Sequence, residues 1–207
     1  MSISLVIPTC ALGNAALTPL SSGKQAHAFR AYLLRCFTLP QALANPLIAE
    51  VIIVGEFETG ANYRYLEVPS VTHDNVRDAL HKRDVGCRAA TGDWIMMLAD
   101  DHVLDSSAIS RTQKYTQIGD VVSLNRRTRM RHADGETLNS GMRDGYINGH
   151  AALYRRAVLE RCPWSAVERR FTFDMLHTEQ VKHAGFHVVY APDAYAEDVE
   201  YGAMPWR

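Results

Sequence analysis

Blocks of apolar and polar positions alternate along the chain, and their period changes from block to block. Residues 3–7 form a short, mostly apolar run closed by Pro8 and Thr9, the pattern of a strand buried on both faces. A stretch rich in Gly, Ser and Pro follows to about residue 22 and reads as a loop. Residues 26–44 have helical spacing, with Phe29, Leu33, Leu34 and Phe37 on one side. Residues 51–54, ended by Gly55, predict a second buried strand, and 65–68 a third. Residues 75–90 predict a helix capped by Asp74 or Asn75 and stopped near Gly92. Strands are predicted at 94–98 and 121–124, then a polar, loop-like stretch over 125–149. Residues 151–159 read as strand into helix, 175–184 as a helix ended by Gly185, and 188–190 as the last strand before a mixed tail. Strands alternating with helices predict an α/β fold with a mainly parallel sheet covered on both faces.

Composition narrows this frame. With 207 residues, 47% of them hydrophobic, the chain suits one domain of ordinary size with a substantial core. A formal net charge of −1 does not advertise a nucleic-acid or membrane partner. No apolar run reaches the ~18 residues of a membrane helix. The opening MSISLVIPTC lacks the charged and long apolar regions of a signal peptide. Cys10, Cys36, Cys87 and Cys162 are widely spaced and form no CxxC pair, so a reduced, cytoplasmic protein is expected. There is no internal repeat, low-complexity tract or linker.

The run GDWIMMLADDHVL, residues 92–104, carries the strongest chemical signal. An apolar strand delivers two adjacent carboxylates, Asp100 and Asp101, with His102 behind them. Residues just past a buried strand project into the crevice where open α/β sheets bind ligands. Two carboxylates there suit Mg²⁺ or Mn²⁺ and the phosphates those ions carry, against the plainer reading of a solvated acidic turn. The cluster RRTRMR, residues 126–131, falls in the predicted loop and either receives a phosphate-bearing acceptor, nucleic acid included, or pairs with acids elsewhere.

Several segments in order resemble one family, the family 2-like glycosyltransferases of the GT-A fold, which transfer a sugar from a nucleotide-diphosphate donor. SLVIPTC (4–10) resembles the family's opening strand, and EVIIVGE (50–56) its second strand ending in an acid. KRDVGCRAATGDWIMMLADDHVL (82–104) resembles its central helix and metal-bearing strand. NGHAALYRRAVLE (148–160) resembles the segment lining the donor sugar, and FTFDMLHTEQVKHAGFHVVYAPDA (171–194) the catalytic helix and following strand. The resemblance covers about residues 3–198. It implies a Rossmann-like α/β/α sandwich spanning 1–207 as one domain, with a nucleotide-binding half over about 1–104 and an acceptor and catalytic half over about 105–207.

The resemblance also implies roles. Asp101 falls on the metal position, while Ala99 stands where the first acid of the usual motif would be, so Asp100 contacts the ribose or supports the metal shell. Asp198, beside Glu197, falls where a late metal ligand is expected. Asp174 matches the general base at the head of a helix, with Phe173 in place of the first acid of the pair; the alternative is an N-terminal acid favoured by the helix dipole. Pro8, Thr9 and Glu56 are expected at the nucleoside, with Glu56 replacing the usual Asp. Arg83 matches the family's central-helix arginine, with Lys82 or Arg77 as alternative donor contacts. Gly149 and His150 are expected to line the sugar pocket. Arg126 and Arg127 are expected to meet the acceptor; Trp164, read from its residue type, either stacks on an acceptor sugar or base or packs in the core.

The implied activity is transfer from a nucleotide-diphosphate sugar, UDP-sugar favoured, to an acceptor hydroxyl, inverting, with Mn²⁺ or Mg²⁺. Two other classes compete. A degenerate GT-A module that only binds a nucleotide or a protein would explain Ala99 and Phe173. A nucleotidyltransferase or phosphohydrolase on a related sheet would need a glycine-rich Lys/Arg signature or a phosphate loop, and neither pattern is present.

Overall fold

The structure is a computed structural model. It describes residues 1–9, 30–69, 75–132, 135–141, 145–167 and 173–200, with the backbone alone described at 75–76, 126–132, 135–141 and 198–200. Its spine is a sheet of nine strands: β1 (Ile3–Thr9), β2 (Ile48–Gly55), β3 (Arg64–Glu67), β4 (Trp94–Leu98), β5 (His102–Leu104), β6 (Val121–His132), β7 (Gly135–Gly141), β8 (Ala151–Arg155) and β9 (Val188–Glu200). The order is β3-β2-β1-β4-β8-β6-β9-β5, with β7 hairpinned onto β6. Strands β1 to β4, β6 and β9 share one direction; β5, β7 and β8 run against it. The expected mainly parallel α/β sandwich is therefore what the chain builds.

Alternation along the central strands makes two cores. Ile3, Leu5 and Ile7 of β1 and Trp94, Met96 and Leu98 of β4 face one side. Val6, Ile95 and Met97 face the other. The first face is covered by α1, the helical run 30–44, and by α3 (Ala108–Thr112). The second is covered by α2 (Asn75–Ala89), α4 (Arg156–Arg161) and α5 (Phe173–His183). Burial on both faces is why these strands read as continuous apolar runs. Among the described residues no helix is long and apolar enough to cross a membrane.

Three expectations are corrected. Phe37 does not share the buried side of α1: it is 41% exposed, whereas Leu33 and Leu34 are buried. Leu34–Thr38 is a π turn, closed by the Leu39 N–H donating to the Leu34 carbonyl, and its extra residue rotates Phe37 out of the helical stripe. Residues 125–149 are not a loop throughout. Strand β6 continues to His132 and pairs with β7, so the backbone of the arginine cluster lies on a strand, in register with β7 on one side and β9 on the other. A ribbon whose backbone is satisfied by two neighbours can carry charges, so it lacks the apolar alternation that marks a half-buried strand. Finally, β9 runs from Val188 to Glu200, not only to Tyr190. Its ladder with β6 steps from Ala191 to Tyr195, skipping Pro192, which cannot donate to a ladder, and resumes beyond.

Candidate active site

The carboxyl ends of β1, β2 and β4 meet the start of β8 at one edge of the sheet. Strand β1 pairs with β4 only from Ile3 to Val6, so Pro8, which has no N–H, sits past the end of that ladder. The Thr9 carbonyl accepts from the Glu56 N–H (3.3 Å) and from the buried Lys82 Nζ (3.0 Å), tying β1, β2 and α2 together. Gly55 ends β2 at φ 131°, a left-handed conformation, and a Cβ there would run into the Thr9 carbonyl. Glycine is what allows the two strand ends to close this floor.

The two carboxylates stand at the centre of that edge. Asp100 is buried; its Oδ2 accepts from the Thr9 hydroxyl (2.8 Å) and its Oδ1 from Arg30 Nη1 (2.6 Å). Asp101, with 27% of its side chain exposed, accepts from Arg30 Nη2 at Oδ2 (3.1 Å), and its Oδ1 lies 2.7 Å from His102 Nδ1. Desolvation pushes the Asp101 carboxyl up, but the charge of Arg30, the His102 hydrogen bond and the nearby imidazoles outweigh it and hold the group well below the usual carboxylate range.

The His102 and His150 rings stack, 5.2 Å between centroids and parallel within 5°. Strand pairing places His150 here, because its carbonyl accepts from the Ala99 N–H (2.8 Å) just before β8 pairs with β4. Asp101, His102 and His150 each offer a ligand atom within 4.8 Å of the others. His102 is 1% exposed, and its Nε2 has no hydrogen-bond partner among the described residues. A buried orphan nitrogen beside a carboxylate and a second imidazole is a donor set that fits a divalent ion, and the imidazoles favour Mn²⁺ over Mg²⁺.

Asp174 lies in the first turn of α5 and faces Gly149, where a Cβ would collide with its carboxylate. Behind it is a buried aromatic layer. The Arg83 guanidinium lies 4.6 Å from the Trp164 ring and 4.9 Å from the Phe173 ring, and its Nε and Nη1 have no hydrogen-bond partner among the described residues. Burial lowers the Arg83 pKa, and the Asp174 charge opposes that fall. Trp164 stacks on His177 at 3.7 Å. The Asp84 carboxylate accepts from the Trp164 and Ser165 N–H groups (2.8 Å each) and pins this layer to α2.

The buried His177 yields a pH-dependent prediction. Burial pulls its imidazole down to about 4, with Arg83 adding in the same direction and the Cys162 carbonyl bond opposing. In the unfolded chain the group titrates near 6.5, so across about pH 6.5 to 4 the unfolded state binds more protons and stability falls as pH falls. The loss approaches about 3 kcal/mol at the low end of that window. Urea midpoints for the wild type and His177→Phe across the window should converge as the pH drops; parallel curves would refute the assignment.

The expected site residues divide as follows. Thr9, Asp100, Asp101, Gly149, His150 and Asp174 come together at the edge. Pro8 and Glu56 lie at the β1 and β2 ends beside them. Arg83 is only 3% exposed and stands behind Asp174, so the expected direct donor contact is replaced by a buried charge behind the Asp174 carboxylate. Trp164 is corrected outright: it is fully buried, and its rings meet Tyr154, His177, Phe173 and Arg83, leaving no face for an acceptor. The side chains of Asp198, Arg126 and Arg127 lie outside the described residues. Their backbones are placed: Asp198 is in register with His102, and Arg126 and Arg127 sit on β6.

Two participants escaped the sequence. His102 was visible beside the carboxylates without a role, and its contact with His150 depends on β8 meeting β4. Arg30 lies 70 residues before Asp100, on a helix whose pattern signalled only packing, and no local signal marks it.

No curated protein matches the chain. The family model described as Glycosyltransferase like family 2 matches residues 66–204, more than half of the chain and the stretch holding both carboxylates, both histidines and Asp174. With its α/β architecture and carboxylate-bearing sheet edge, the chain belongs to the family 2-like glycosyltransferases.

Proposed function

We propose that the crevice binds a nucleotide-diphosphate sugar, UDP-sugar favoured, and transfers the sugar with inversion to an acceptor hydroxyl. The observation that carries this reading is the meeting of Asp101, His102 and His150 with Asp174 at one sheet edge. Asp101, His102 and His150 hold a divalent ion, Mn²⁺ in preference to Mg²⁺, and Asp198 joins them from β9. An ion held by these residues would supply the positive charge that neutralises the diphosphate as the sugar–phosphate bond breaks. Thr9, Pro8 and Glu56 face the nucleoside, and Asp100 supports the metal carboxylate through its place beside Thr9. Gly149, lacking a Cβ, lets the Asp174 carboxylate approach the sugar pocket. Asp174 takes the proton from the acceptor hydroxyl as that oxygen attacks the anomeric carbon. Residues 1–104 bind the nucleotide and 105–207 supply the base and the acceptor side, with Arg126 and Arg127 on the β6–β7 ribbon receiving an acceptor that carries phosphate.

Calorimetry with UDP, GDP, CDP and TDP and their sugars, in Mn²⁺ and in EDTA, tests the reading. Metal-dependent binding of a uridine nucleotide is the expected result. If no nucleotide binds in Mn²⁺, the reading fails and a degenerate module remains.

A further inference from the structure

We propose that Arg30 is a resident counter-cation that the divalent ion must displace, so that the empty site is held closed to metal until the donor arrives. This rests on the metal reading above. The guanidinium spans both carboxylates, Nη1 on Asp100 Oδ1 (2.6 Å) and Nη2 on Asp101 Oδ2 (3.1 Å). Thr9 and His102 are the donors at the two remaining oxygens. All four carboxylate oxygens therefore already have a neighbour, and the planar fork of Arg30 matches the pair as a compact ammonium would not.

The electrostatic consequence is direct. Two carboxylates present two negative charges to an incoming ion; with Arg30 seated, the net charge is one. A metal binding Asp101 must meet that lowered attraction and break the Arg30 contact at Oδ2. With 23% of its side chain exposed, Arg30 has an opening towards solvent to move into. A donor diphosphate offers it replacement oxygens, which are bidentate acceptors of the kind a guanidinium prefers. Metal and nucleotide then favour each other's binding through the release of one side chain, and by linkage the coupling is reciprocal.

The test is Mn²⁺ binding, without nucleotide and with UDP, to the wild type and Arg30→Gln, followed by calorimetry and by the loss of the free-ion paramagnetic signal. Alone, Mn²⁺ should bind Arg30→Gln about tenfold tighter or more. Adding UDP should narrow that gap, because it releases Arg30 in the wild type. Equal or weaker Mn²⁺ binding by a variant of unchanged melting temperature overturns the proposal. Should the glutamine variant melt early, Arg30→Lys replaces it: one ammonium cannot span both carboxylates, and Mn²⁺ affinity no higher than that of the wild type again overturns it. If both proteins bind Mn²⁺ equally, this proposal alone falls. If neither binds it, with or without UDP, the metal reading falls as well.

Discussion

Asp101→Asn is expected to lower transfer by roughly 10²–10³-fold and to abolish the metal dependence of nucleotide binding. Asparagine keeps the volume and can still meet His102 or Arg30, so the fold should survive. What it removes is the charge that balances a divalent ion, together with one of the two oxygens, Oδ2 facing Arg30 (3.1 Å) and Oδ1 facing His102 (2.7 Å). The effect should fall on metal and diphosphate together, because the ion is needed where charge develops on the leaving oxygen. Steady-state transfer in a Mn²⁺ titration, with calorimetry on the same preparation, measures both. Activity within tenfold of the wild type, with an unaltered Mn²⁺ dependence, would remove Asp101 from the centre of the site.

Asp174→Asn should be as damaging and should differ in kind. A lost general base costs about 10²–10⁴-fold in rate, and nothing in that role involves holding the nucleotide. UDP and Mn²⁺ affinities should therefore stay within about twofold while the transfer rate collapses. The position is built for the task. The first turn of α5 presents the carboxylate, Gly149 lacks the Cβ that would collide with it, and the Thr178 hydroxyl donates to the Asp174 carbonyl (2.6 Å), steadying the turn. The buried Arg83 guanidinium lies behind it, and the Asp174 charge opposes the fall that burial causes in the Arg83 pKa. Near-full transfer in the variant would place the base elsewhere; lost nucleotide affinity with it would recast Asp174 as a binding group. The contrast between the two variants, one losing metal and donor together and the other losing turnover alone, separates an enzyme from a module that only binds.

The central strands could be read directly from the chain. Residues 94–98 are apolar without interruption, and residues 3–7 apart from Ser4, because both faces of the sheet are covered, and the run at 94–98 ends just before the carboxylates. The order of segments points to the family, and the local sequence marks Asp100, Asp101, His150 and Asp174 as candidates. These are signals within about twenty residues of sequence, where period and strand ends are visible. Tertiary structure decided the rest. Strand β6 carries arginines where a strand usually alternates, and only its backbone partners β7 and β9 reveal it. Trp164 was free to be a surface platform until Asp84 and His177 placed it inside. The π turn at Leu34–Thr38 rotated Phe37 outward. Most consequentially, Arg30 reached Asp101 across 71 residues. Burial and strand ends follow from local composition, because they depend on what each residue avoids or accepts in water. Which charges meet follows from how distant elements stack, and the spacing along one segment carries no record of that.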